Sequence, residues 1–279
     1  MEIHVIETGK FKLDGGAMFG VVPKSLWNRL NPADENNMCS WSMRCLLVVD
    51  GERKILIDTG LGDKQDEKFR SHFYPHGEDS LSKSIAATGY TFEDITDVII
   101  THMHFDHVGG AVIRNPNGNL VPTFPNATYW TNEKHLNWAL NPNPREKASF
   151  LKENIVPLVD HNVLKFIDVE RNVKFTDNIS IDFANGHTEA LMVPYIKLDN
   201  DDTLVFAADL MPSHCHLGMP YVMSYDIRPL TTMQEKAELF ERTCNTNHII
   251  FYEHDVEVMA SKLVKNDRGR VVMGEKVTF

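Results

Sequence analysis

Four potential metal ligands fall within six residues in the segment Thr101-His102-Met103-His104-Phe105-Asp106-His107. No other feature constrains the fold as strongly. A helix would scatter these side chains around its axis, whereas a loop leaving a strand can turn all four inward. The apolar run Val98-Ile99-Ile100 just before the cluster predicts that strand. Gly109-Gly110 behind it lets the backbone pass close to the site. Imidazole and carboxylate at this density suit zinc, iron, manganese or cobalt. A lone histidine is usually a surface or capping residue; H-x-H-x-D-H at a strand exit is far more specific.

The same arrangement recurs along the chain. Cys45 to Val49 and Lys54 to Ile57 flank Asp50-Gly51 and predict a hairpin running into Asp58. Strands over Ile179 to Phe183, Leu204 to Ala207 and Ile249 to Tyr252 run towards His187, Asp209 and His254. Helices are predicted over Ser80 to Thr88, with Gly89 as a stop, and from Asn143-Pro144. A third follows the capping-box pair Thr232 and Glu235, with Met233, Ala237, Phe240 and Cys244 on one face. Strands and helices mixed in this way imply a layered α/β protein. With 279 residues and no Ser/Gly-rich linker, a single domain over 1–279 is expected.

Composition removes whole classes of partner. The formal charge of −11 argues against nucleic acid and against anionic membranes, both of which need a basic patch. The expected partner is a small molecule. Cys39, Cys45, Cys215 and Cys244 form no C-x-x-C pair and are expected to be thiols. Met1-Glu2-Ile3-His4-Val5 lacks a basic segment followed by an apolar run, and no apolar run could span a bilayer, so a cytoplasmic location is expected.

With its motif His102, His104, Asp106, His107, the sequence resembles the metallo-β-lactamase superfamily. Asp58-Thr59-Gly60, His187 in Asn185-Gly186-His187-Thr188, Asp209 after Phe206-Ala207-Ala208, and His254 after Phe251-Tyr252-Glu253 extend the likeness from about residue 45 to 255. The resemblance implies a four-layer αββα sandwich and two divalent metal ions, zinc first, with iron, manganese or cobalt as alternatives. It implies that His102, His104 and His187 hold one ion and Asp106, His107 and His254 the other. Asp209 would bridge both, and Asp58 would orient ligand histidines from behind. True β-lactamases of the superfamily often use a cysteine at the second metal and lack the bridge. The pattern here looks instead like the lactonase, glyoxalase II and phosphodiesterase branches.

A finer resemblance, to the N-acyl-homoserine lactone lactonases and their methyl-parathion-hydrolase-like relatives, rests on Gly15 to Pro23, Asp209-Leu210-Met211-Pro212, Pro220-Tyr221 and Tyr225-Asp226. It implies ring opening of a lactone by a metal-bridging hydroxide, and it is compatible with a homodimer. Some lactonases place a catalytic tyrosine three residues after the bridging aspartate, where this chain has Pro212. Asp106, His216, Tyr221 and Tyr225 are the candidate proton donors. Met18 to Val22, Trp27 and Phe73 are candidate walls for an acyl chain. Phosphotriester, phosphodiester or thioester hydrolysis on the same site is the alternative. A non-catalytic metal-binding protein is the alternative of another class. His4, His72, His76, His135, His161 and His248 have no ligand-like partners in the sequence. His214-Cys215-His216 lacks a further ligand, and Asp199 to Asp202 is expected to be a solvated turn rather than a calcium loop.

Overall fold

The computed structural model describes every residue from Met1 to Phe279. The chain divides into two compact units, residues 1–10, 43–169 and 279 in one and residues 11–42 and 170–278 in the other.

The first unit holds most of a six-stranded sheet, whose first two strands run on along the chain into residues assigned to the second. Its spatial order is Glu2–Asp14, Met38–Asp50, Arg53–Ile57, Asp97–Ile99, Thr128–Thr131 and Leu164–Phe166. The Asp50-Gly51 turn closes the expected hairpin, with Leu46 paired to Ile57. The pairings beyond Arg53–Ile57 are parallel, and Ile57 lies in register with Ile99. Asp58 and the His102–His107 segment therefore leave the sheet at one edge. The strands are apolar because the core covers them: Ile6, Leu47, Leu56, Val98, Ile100, Met103, Tyr129 and Leu158 are buried together. Helix Leu81–Ala87 starts where expected, with Ser80 capping Lys83 N–H.

The helix expected at Asn143-Pro144 is absent. Asn143 Oδ1 instead accepts the N–H groups of Arg145 and Glu146 and closes a single turn. The next helix begins only at Lys152. An Asn-Pro pair is chemically suited to both structures, and no apolar periodicity follows it here to extend the turn.

The second unit holds a seven-stranded sheet in the order Val271–Val277, Ala260–Lys265, His248–Phe251, Thr203–Phe206, Leu191–Lys197, Ile179–Ala184 and Val173–Lys174. Only its central pair is parallel, and Phe206 sits in register with Phe251, their rings 5.3 Å apart. These two strands thus end side by side, a few residues before Asp209 and His254.

Helix Pro229–Thr243 starts three residues before Thr232, with Pro229 in its first turn. Thr232 lies inside it, and the Glu235 carboxylate accepts the N–H groups of Asn185 and Gly186 rather than closing a capping box. Its buried face is Thr232, Lys236, Leu239, Phe240 and Thr243, so of the four apolar residues expected there only Phe240 is fully covered. The four cysteines are free thiols. No helix is long and apolar enough to cross a membrane.

Candidate metal centre

In the first unit, the chain leaves strand Asp97–Ile99 and passes through His102 to His104 before a single helical turn, Phe105–Val108. Gly109 and Gly110 let the following backbone lie against the strand exit above Asp58: a Cβ on Gly109 would stand 2.0 Å from Leu61 O, and one on Gly110 2.2 Å from Thr59 O. His102, His104, Asp106 and His107 are all buried. The His102 ring centre lies 4.6 Å from that of His104 and 3.9 Å from that of His107. Three imidazoles packed so closely away from water suit binding to cations.

Hydrogen bonds from behind select the ring nitrogens. Asp58, buried and with φ +56°, accepts Thr101 N–H (2.8 Å) and Thr101 Oγ1–H (2.6 Å). The same carboxylate lies 3.1 Å from His107 Nδ1, whose N–H it accepts. The hydroxyl of Thr101 donates to Asp58, so its oxygen accepts from His102 Nδ1–H at 3.1 Å. Both rings are thereby left to ligate through Nε2. His104 lies with Nε2 3.5 Å from the buried Glu146 carboxylate, without a hydrogen bond to it. Glu146 is fixed in turn by Trp138 Nε1–H and Asn143. His135, which stands apart in the sequence, accepts Met103 N–H on Nε2 at 2.8 Å and so holds the backbone between His102 and His104.

In the second unit, His187, Asp209 and His254 are buried together. Asp209 Oδ2 lies 3.1 Å from His187 Nε2, and its Oδ1 lies 3.1 Å from His254 Nε2. One carboxylate thus presents a different oxygen to each imidazole. Ala208, with φ +44°, sets this orientation in a backbone conformation that L residues rarely adopt. His254 Nδ1–H donates to Ser42 O (2.7 Å), and a carbonyl can only accept, so the tautomer is fixed. His187 Nδ1–H donates to Asp226 (2.7 Å). Burial alone would strip the charge from His187, but the Asp209 and Asp226 carboxylates outweigh it and raise its pKa to about 10. Such surroundings favour positive charge at Nε2, and the donor set of both units fits divalent transition metals.

The remaining candidates are placed differently. His216 is buried, its Nδ1 bonded to Ser213 Oγ and its Nε2 donating to Met18 O. Burial lowers its pKa to about 4, so it stays neutral with both nitrogens engaged and is poorly placed as an acid. Tyr221 is half-buried and meets Phe19 edge-on, while Tyr225 is exposed. Met18, Phe19 and Trp27 are core: Phe19 stacks on Trp27 at 5.1 Å and on His216 at 4.9 Å. Of the expected acyl-chain walls, Phe73 alone joins an aromatic group in the first unit. Phe69, Phe73 and Phe105 lie 4.5 to 5.2 Å apart, and Phe105 stands between His104 and Asp106.

Lys236 was not legible as a buried anchor, since it falls on a helix face expected to be apolar. It is buried, and Nζ donates to the carbonyls of His216, Gly218 and Tyr221 at 2.7, 2.9 and 2.9 Å. Replacing it by methionine strands three carbonyls. The expected loss is about 3 kcal/mol of unfolding free energy in urea melts, with faster amide exchange over residues 216–221.

A metal-dependent hydrolase is the class that this fold and these clusters define. The chain belongs to the metallo-beta-lactamase superfamily, whose profile matches residues 44–234. An N-acyl homoserine lactonase of Bacillus thuringiensis is 22% identical over 268 residues, covering 92% of this chain and 94% of that protein. A probable metal-dependent hydrolase from Staphylococcus aureus shares the fold with a TM-score of 0.85 and 27% identity, over 99% of this chain and 98% of the other. The dizinc quorum-quenching lactonase AidC, solved with a product N-acyl-L-homoserine, has a TM-score of 0.79 at 20% identity, over 99% and 95% of the two chains.

Proposed function

We propose that this protein is a dinuclear-metal hydrolase that opens the ring of N-acyl-homoserine lactones. His102, His104 and His187 would hold one ion, and Asp106, His107 and His254 the other. Asp209 would give one oxygen to each. The observation that carries the reading is the Asp209 carboxylate, 3.1 Å from His187 through one oxygen and 3.1 Å from His254 through the other. The family profile runs through both units and supports treating residues 1–279 as one metallo-β-lactamase-like domain.

Two divalent ions, zinc first, would supply hydroxide at neutral pH and polarise the substrate carbonyl. The chain's own residues do the rest. Asp58, Thr101, Asp226 and Ser42 hold the imidazoles in their ligating tautomers. Phe69, Phe73 and Phe105 offer an apolar wall beside the ligand loop, suited to an acyl chain. Asp106 would take the proton of the attacking hydroxide and pass it to the leaving alkoxide, a role that Pro212 cannot fill and for which His216 is poorly placed. No serine or cysteine nucleophile is required, so no acyl-enzyme forms.

Phosphotriester or phosphodiester hydrolysis would use the same centre, because a two-metal clamp fits in-line displacement equally well. Specificity constants for acyl-homoserine lactones and for an organophosphate panel separate the two. The lactone reading expects the lactones to be faster by about a hundredfold or more, about 2.7 kcal/mol at the transition state. Equal or reversed constants contradict it.

A further inference from the structure

His214, Cys215 and Asp255 form a second cluster of ligand types, apart from the seven residues assigned above. In the sequence, His214-Cys215-His216 lacks a further ligand. The structure withdraws His216, engaged by Ser213 and Met18, and supplies a carboxylate from a distant part of the chain. Asp255 Oδ2 accepts the backbone N–H of His214 at 2.8 Å and makes a short contact with its Nδ1, while Oδ1 accepts the N–H groups of Glu257 and Val258 at 2.9 and 2.8 Å, so Oδ2 is the oxygen that would turn to an ion. Cys215 Sγ lies 3.8 Å from His214 Nε2 and 3.9 Å from Nδ1. One donor atom from each residue falls within 4.8 Å of the others.

These distances approach those of a metal site. Zinc–sulfur and zinc–nitrogen bonds of about 2.3 and 2.1 Å at a tetrahedral angle set the two donors about 3.6 Å apart. Each Cys215–His214 separation exceeds that by a few tenths of an ångström, and because the sulfur is almost equidistant from the two nitrogens the ring would turn to aim one of them at a shared ion. Cys215 and Asp255 are 7% and 2% exposed, while the His214 side chain is 19% exposed and leaves a way in. The three residues line a cavity of about 10 Å³ with Glu257 at its wall, close to the space one water or ion fills.

We infer that His214, Cys215 and Asp255 bind a cation of the thiophilic class of zinc, in addition to the two ions proposed above. Cys215 ligates as thiolate, so its proton passes to solvent, as does the imidazole proton now shared with Asp255. Glu257 or a water completes the shell. His254 N–H already donates to Pro212 O at 3.0 Å. An ion here would tie the segment carrying Asp209 more firmly to the one carrying His254.

The test is cobalt(II) substitution of the full chain. The seven-residue His/Asp set contains no sulfur and gives no thiolate-to-cobalt charge-transfer band, so such a band reports a cysteine ligand alone. The band is expected in the near ultraviolet in wild type, lost in Cys215→Ser and retained in Cys244→Ser. His214→Gln serves as the second variant and should weaken the band, with far-ultraviolet circular dichroism checking the fold of each. Zinc dialysis should show one equivalent fewer in Cys215→Ser than in wild type. Two equivalents of cobalt without the band overturn this inference and leave the dinuclear reading standing. The band with a single equivalent does the reverse. A band that survives Cys215→Ser also overturns the inference.

Discussion

Asp209→Ala is expected to lower kcat/KM for acyl-homoserine lactones by about a thousandfold or more, the equivalent of about 4 kcal/mol at the transition state. The reason lies in its two oxygens. Removing the carboxylate takes the partner from His187 Nε2 and from His254 Nε2 at once, each now 3.1 Å away. A substitution that weakened one ion alone would leave the other in place; this one disturbs both. Metal content should fall in parallel with turnover, measured on dialysed protein. An Asp209→Ala variant that turned over lactone at the wild-type rate would end the proposed mechanism. Asp209→Asn keeps the shape while losing the charge and one acceptor oxygen, and should fall close to the alanine variant if bridging is what matters.

The second large effect belongs to a residue that need touch neither metal nor substrate. Asp58→Ala should reduce metal affinity or turnover about 10- to 100-fold, the usual cost of losing a partner that orients a ligand. Stability should fall as well, because Asp58 is buried and accepts from Thr101 N–H, Thr101 Oγ1–H and His107 Nδ1–H. Stranding these donors costs about 3 kcal/mol or more. The two effects separate on measurement. Excess metal should recover much of the turnover of folded variant, whereas a denaturant melt of metal-free protein should still show the loss. Unchanged metal affinity in Asp58→Ala would mean that the Thr101 and His107 contacts do not govern ligand geometry.

The ligand types were legible because their signal is local. H-x-H-x-D-H is visible in six residues, and each later His or Asp follows an apolar run that becomes a strand. Parallel register explains why these positions are comparable: Ile57 beside Ile99, and Phe206 beside Phe251, bring neighbouring strand exits to one edge of each sheet. Asp58 apart, the supporting residues were not legible, because their roles arise from long-range contacts. Asp226 reaches His187 across 39 positions, and Ser42 reaches His254 across 212. His135 has no ligand-like neighbour in sequence, yet its ring fixes Met103 from a separate helix. Glu146 was hidden in the turn expected to be a helix.

The residues expected from sequence to wall an apolar pocket divide for a related reason. Apolar runs announce burial, not which buried surface they join. Met18, Phe19 and Trp27 went to the core around His216, while Phe69 and Phe105, in less apolar surroundings, joined Phe73 beside the ligand loop. The helix over Pro229–Thr243 shows the same limit from the other side. Its buried stripe includes Lys236, tolerated there because three carbonyls satisfy its ammonium.

The central claim is that both ligand sets serve one pair of ions joined by Asp209. Electron paramagnetic resonance of apoprotein titrated with manganese(II), a hard ion that a thiolate site disfavours, tests it most directly. The account predicts uptake of two ions per chain and loss of the isolated-ion signal as the second binds, because a bridging carboxylate couples their spins. Asp209→Ala should bind fewer ions and show no coupling. Two ions that bind wild type without coupling, or a single ion at saturation, would contradict it.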